Sequence, residues 1–291
     1  MDASTKRPRS QRFVWIGAAA LTLICIALIV WVNAAANSGT EEVTEAGSDA
    51  SPDRVEVTAS VQKVDAATGE LQLRLQVSPQ GALTSDGGLS PVEDLEILSS
   101  KSVKDDLTFK AYKRISSVDT LVSIDGSAIT AYPFDGYQTD IEFGARMGGE
   151  NVPVHVVLTN RDSLFSVYGD GLDENGVALM ELAMARSIGV SAFAVFMALA
   201  MWALCIAVII GTRFIITQRK GLVWPALGWM AASLFALAAF RNAAPGNPPI
   251  GSIIDYVAFF WAEVTIASCI LITVIGGQRA ESRALRDADA L

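Results

Sequence analysis

Four charged residues stand beside or inside long apolar runs: Arg186, Arg241, Asp255 and Glu263. An ionised side chain deep in a hydrocarbon layer costs about 2.5–3.5 kcal/mol on insertion scales, so such a group calls for an opposite charge or a wet cavity. Two chemistries suit these residues. One is a structural ion pair between helices, with Glu263 tied to Arg241 or Arg186. The other is a site that responds to ions or protons, for which one acid makes a poor relay. A second group is Tyr132-Pro133-Phe134-Asp135. Proline fixes φ and aspartate accepts backbone N–H bonds, so these four residues form a rigid turn that presents two aromatics. The plain reading is an inter-strand loop, and the functional one is a docking tip. A third group is the loop after Arg241, stiffened by Pro245, Gly246, Pro248 and Pro249. The turn is expected to pack near this loop, with Phe134 supplying apolar area and Asp135 either pairing with Arg241 or capping its own turn.

Other reactive constellations are missing from the chain. His155 is the single histidine, and the alternation of Val152, Val154, Val156 and Leu158 places it on the wetter face of a strand. The three cysteines, Cys25, Cys205 and Cys269, all fall in apolar runs. A zinc site, a Cys–His pair and a Ser–His–Asp triad therefore lack ligands or partners. Asp170 to Gly176 has a faint likeness to a calcium loop, but its register would put Gly171 and Leu182 at ligand positions. Asp105 with Asp106 reads as a solvated turn. No cofactor, metal or catalytic residue is expected, and an enzyme ranks third among functional readings.

The elements that must position these groups begin with four apolar runs, at 14–32, 188–210, 222–240 and 256–275. Each is long enough to cross a hydrocarbon core of about 30 Å, which places transmembrane helices at 13–36, 187–212, 221–240 and 256–277. Basic residues in short flanks stay cytoplasmic. Lys6, Arg7, Arg9 and Arg12 precede the first run, Arg213, Arg219 and Lys220 follow the second, and Arg279, Arg283 and Arg286 follow the fourth. Both termini are thus cytoplasmic, and residues 37–186 and 241–255 face outward. A cleaved signal peptide is the alternative for the first run, given Ala34-Ala35-Ala36, but its length and Trp15 and Trp31 favour an anchor. Residues 37–186 hold 25 acidic and 11 basic residues, against 6 and 11 elsewhere. For this outer segment the charge weighs against nucleic acid and anionic lipid surfaces as partners and leaves cationic ligands, metal ions and proteins. A solvated acidic surface is the plain reading, while the apolar runs take the lipid bilayer as their partner.

Within the outer segment, residues 37–54 are polar and read as a flexible acidic tether. Strict alternation follows at Val55, Val57, Ala59 and Val61, and again after Ala66-Ala67-Thr68-Gly69 at Leu71, Leu73, Leu75 and Val77, a hairpin with one wet face. Further strands are predicted at 95–99, 107–115, 118–124, 137–145, 152–159 and 164–168. About seven to nine such strands without helical periodicity between them make residues 55–186 an antiparallel β-sandwich-like domain. The fold class is thus a membrane protein with an extracytoplasmic β domain, one helix before it and three after. Residues 177–186 run into the next helix with almost no linker. Small residues four apart, such as Ala194 with Ala198, permit close helix packing or a homo-oligomer.

One N-terminal span, the Tyr132-Pro133-Phe134-Asp135 turn, three closing spans and the stretch from Arg241 to Glu263 together resemble the bacterial membrane proteins called domain of unknown function 4436. The resemblance extends over nearly all the chain after its first residues and implies no activity or cofactor. A weaker likeness, to pentameric ligand-gated channels, rests on one tetrapeptide; this chain lacks their paired cysteines and differs in span number. The expected function is a non-enzymatic scaffold or accessory subunit whose outer domain binds a protein partner in the cell envelope. The alternative is a transport, channel or sensing component acting at the outer edge of the bundle.

Overall fold

The computed structural model describes residues 43–100, 107–218 and 221–289. The expected first span at 13–36, the basic N-terminus and Asp105 with Asp106 lie outside the described residues. Among the described residues twelve strands are formed: β1 (Val43–Gly47), β2 (Val55–Asp65), β3 (Glu70–Pro79), β4 (Leu95–Ser99), β5 (Leu107–Phe109), β6 (Val118–Ser123), β7 (Asp125–Gly126), β8 (Gly136–Met147), β9 (Glu150–Val152), β10 (Val154–Asn160), β11 (Phe165–Glu174) and β12 (Val177–Arg186). The alternation dictates the inward faces. Val55, Val57, Ala59 and Val61 of β2 are fully buried, as are Leu71 and Leu73 of β3. Asp65 shapes the hairpin turn between them by accepting the N–H groups of Ala67 and Thr68 at 3.1 and 3.2 Å. A β-bulge between Val61 and Lys63 lets both Val61 and Val64 face the core.

The strands form two sheets, ordered β1-β10-β2-β3-β6 and β11-β12-β8-β4-β5, with β7 and β9 also paired to β8. Their inner faces share one apolar core that includes Leu71, Leu73, Ile141, Phe143, Val156 and Met180. Three expectations are corrected here. The domain is mixed rather than purely antiparallel, because β10 runs parallel to β2. Twelve strands exceed the seven to nine expected, since β7 and β9 have only two and three residues and leave no periodic signal. The segment expected as a tether contains β1, which pairs antiparallel with β10 from Val43 opposite Thr159 to Gly47 opposite His155. Its buried side chains, Thr44 and Ala46, are too small to announce a strand. Backbone pairing to the edge of β10 orders them.

β12 continues into three helices: α1 (Ile188–Thr217), α2 (Trp224–Asn242) and α3 (Phe260–Asp289), the last preceded by a π-helical turn at Asp255–Phe259. Along α1 the buried side chains recur every three to four residues, at Met197, Met201, Cys205, Val208, Thr212 and Ile215, which directs one stripe at the other helices. Among the described residues, two stretches are long and apolar enough to cross a membrane, Ile188–Thr217 and Asp255–Asp287. The 19-residue α2, which carries Trp224, Pro225 and Arg241, is not one of them.

Phe143 is fully buried at the centre of the two-sheet core. Phe143→Ala is expected to lower the unfolding free energy of the purified protein by about 3–5 kcal/mol. An unchanged denaturation midpoint would deny Phe143 that place.

Candidate functional site

Strand register builds the site. β12 pairs with β8 so that Ala185 lies opposite Gly136, and with β11 so that Arg186 lies opposite Phe165. One step further along the β12–β8 ladder sets Arg186 beside Asp135. The Arg186 guanidinium donates from Nε to Asp135 Oδ1 at 2.9 Å and from Nη2 to Oδ2 at 2.8 Å, a bidentate charge-assisted pair. Side-chain exposure is 2% for Arg186 and 0% for Asp135. Tyr137 Oη donates to Asp135 Oδ2 at 3.0 Å. The cation also lies over two rings, 4.1 Å from the centroid of Phe165 and 5.2 Å from that of Tyr132. Ser187 then ends the strand and caps α1, accepting from the Val190 N–H and donating to the Ser163 carbonyl.

A second pair fixes the loop between α2 and α3. Arg241, in the last turn of α2, donates from Nε and Nη2 to Asp255 at 3.0 Å each, and also to the carbonyls of Pro248 and Pro249 at 3.0 and 2.8 Å. Asp255 accepts in addition from the N–H groups of Gly251 and Ser252. The proline carbonyls, which lack intrahelical partners, are thereby satisfied. Asp255 opens the π-helical turn, and Trp202 of α1 donates to the Val257 carbonyl within it at 3.1 Å.

The two pairs meet at Gly246. Its φ is +78°, and a Cβ there would stand 2.6 Å from Arg186 Nη1. Tyr132, which is joined to Pro133 by a cis peptide bond, is fully buried among residues of all three helices. Its hydroxyl has no hydrogen-bond partner among the described residues. The turn from Tyr132 to Asp135 and the loop from Pro245 to Gly251 therefore converge, with Arg186 between them.

The structure changes the expected partners. Asp135 pairs with Arg186 rather than Arg241, because strand register delivers Arg186 first. Glu263 is tied to neither arginine: it is exposed, two turns into the helical run that begins at Asp255. Phe134 is 69% exposed and does not cover the loop. Pro248 is buried, while Pro245 and Pro249 are half-buried. His155 lies on the face opposite the buried Val154, Val156 and Leu158 and is half-buried there, with a buried Nδ1 that has no partner among the described residues. The calcium-like stretch is strand β11 plus a two-residue hairpin turn at Asn175-Gly176, whose φ values of 56° and 87° suit those residue types. Tyr137, Phe165 and Ser187 also belong to the site, and nothing in their local sequence marks them for it. The Phe165–Arg186 contact depends on the β11–β12 register, which that Asn-Gly turn signals.

Burial pushes the hydroxyls of Tyr132 and Tyr137 up to about 12, and the neighbouring Asp135 charge adds to the effect. Among the described residues no group of three or more His, Cys, Asp or Glu could hold a metal ion. The arrangement neutralises charge and locks geometry, and it places no nucleophile beside a base. It joins a sheet end, a helix start and an interhelical loop.

This fold and junction define a class: a two-sheet β domain joined through one residue to a short helical bundle, with a buried ion pair on each side of the junction and Tyr132 buried among the helices. The β domain belongs to the family described as domain of unknown function DUF4436, matched over residues 45–183. The family is the one the sequence resembles, but the match stops at the end of the β domain. Residues 186–279 match a second family, domain of unknown function DUF8686. Comparison with curated proteins gives no match.

Removing either member of the Arg186–Asp135 pair is expected to cost about 3–5 kcal/mol, because it leaves a buried charge uncompensated. Arg186→Ala with Asp135→Ala should cost less than the two single losses together, and strict additivity in a double-mutant cycle would deny the pairing. Tyr132→Phe should leave stability level or raised, since its hydroxyl is unpartnered, whereas Tyr137→Phe should lose about 1.5–3 kcal/mol with its bond to a carboxylate. Both tyrosine pKa values are raised on folding, so their contribution is whole below pH about 10 and is lost as pH rises toward about 12. Alkaline unfolding within that window should shrink in the double Phe variant, and an unaltered alkaline profile would contradict it.

Proposed function

We propose that this protein is an accessory or scaffold subunit of the cell envelope: its β domain lies outside the cytoplasm and binds a protein partner, while its helices cross the membrane. The observation that carries this reading is the Arg186–Asp135 junction, which leaves Ser187 alone between strand and helix. A domain joined to the bundle through one residue, with Tyr132 buried among the helices, holds a fixed orientation, which suits presentation of a binding face at a set position. The bundle also exposes Phe193, Phe196, Leu199, Trp202, Ile206 and Ile210 along α1, an apolar band that supports a hydrocarbon environment. Within that reading the chain has four spans, at 13–36, 187–212, 221–240 and 256–277, and both termini are cytoplasmic. Phe134, exposed beside the junction, is placed for the membrane interface or a partner. Glu263 faces away from the described bundle, where an uncovered carboxylate in lipid is costly, and this supports a protein partner over that face.

Single cysteines at the exposed positions Ser85 and Ser282 test the topology. In intact cells an impermeant thiol reagent should label Ser85→Cys and spare Ser282→Cys; the reverse pattern would invert the protein. A photocrosslinker at Phe134 should recover a distinct envelope protein, with yield lowered by Glu263→Gln at unchanged stability. Recovery of this chain alone would turn the reading into self-assembly.

A further inference from the structure

At the end of the bundle away from the β domain, α1 and α3 part around a groove of about 500 Å3. One wall is apolar, from Ile215 and Ile216 of α1; the other carries Gly276, Gly277, Arg279 and Arg283 of α3. The glycines open the groove: a Cβ on Gly276 would stand 3.7 Å from Ile216, and one on Gly277 3.2 Å from Leu222. Arg279 and Arg283 sit one helical turn apart on the same side, where two like charges repel each other. Both are exposed, and neither forms a salt bridge among the described residues.

Nearby acids do not neutralise them. Glu281 is engaged elsewhere, accepting from the Leu222 N–H at 3.0 Å. Asp287 lines the far end of the groove, one turn beyond Arg283, and forms no ion pair among the described residues. Two guanidiniums at this spacing present several N–H donors toward one cleft, the arrangement that recognises phosphate oxygens. The groove is also lined by the exposed apolar side chain of Ile216, on which an acyl chain can lie. We propose that the groove between α1 and α3 is a site for the phosphate headgroup of an anionic glycerophospholipid, held by Arg279 and Arg283. The assignment rests on the reading that these helices cross a membrane. Under that reading Arg279 and Arg283 lie on the cytoplasmic side, where basic pockets between helices capture anionic headgroups.

The test uses the full chain in vesicles and in detergent. Flotation with purely neutral phosphatidylcholine vesicles reports membrane insertion by itself, so a protein that fails to float sinks the membrane reading, whatever the groove does. Native mass spectrometry of protein extracted from mixed phosphatidylglycerol and phosphatidylcholine membranes then reports the groove. Wild type should retain phosphatidylglycerol in preference. Arg279→Ala with Arg283→Ala should reduce that retention at least tenfold, while Arg286→Ala, which lies off the groove lining, should keep it. Equal retention by the double variant, or equal retention of both lipids by wild type, would overturn the proposal. A thermal shift with inorganic phosphate, lost in the double variant and unaccompanied by lipid retention, would assign the groove to free phosphate and overturn the lipid as well.

Discussion

The Arg186–Asp135 pair is the interaction on which the geometry of the molecule depends. Its two members come from opposite ends of adjacent strands, brought together by the β8–β12 register, and Arg186 is also the last residue before the helix cap. A buried pair is a doubtful source of net stability, because desolvation consumes much of the Coulombic gain. Its value lies in specificity. Apolar contacts between a strand end and a neighbouring turn tolerate sliding, whereas a bidentate bond seated on two aromatic rings fixes the Tyr132 to Asp135 turn against the last residue of β12 in one arrangement. Gly246 completes it by leaving room for the guanidinium from the bundle side.

The second pair makes the receiving surface rigid. Arg241 gathers Asp255 and two proline carbonyls, so the loop between α2 and α3 has its backbone acceptors satisfied without regular structure. The π-helical turn that follows is held by Trp202 of α1, which links this loop to the first helix of the bundle. Both faces of the junction are therefore ordered by their own internal bonds. The entropy lost when they are joined is correspondingly small.

Much of this was legible in the sequence. The alternation in β2 and β3 and the apolar runs of α1 and α3 are periodic signals that tertiary context does not reverse. The turn at Tyr132 to Asp135 and the loop at Pro245 to Gly251 stood out because proline and glycine restrict the backbone in nameable ways. Partner choice was not legible. Asp135, Asp255 and Glu263 are chemically alike, and which one meets which arginine depends on strand register and helix phase. Glu263 illustrates this, since an acid inside an apolar run reads as buried until the face it occupies is known. β1 escaped notice for another reason. Its order is borrowed from the edge of β10, and Thr44 and Ala46 carry little apolar area of their own.

The single residue between β12 and α1 has a consequence for how the two halves of the chain can vary. Successive side chains in a strand alternate between faces, while successive side chains in a helix turn by about 100°. With only Ser187 between them, the two periodicities are phase-locked. One residue gained or lost there would swing the exposed apolar stripe of α1 by more than a quarter turn. A residue added earlier, inside β12, would instead send Arg186 to the opposite face of its sheet. Length at this point in the chain is therefore under tighter constraint than residue identity, and the β domain and the helices are bound to change, if they change, in step.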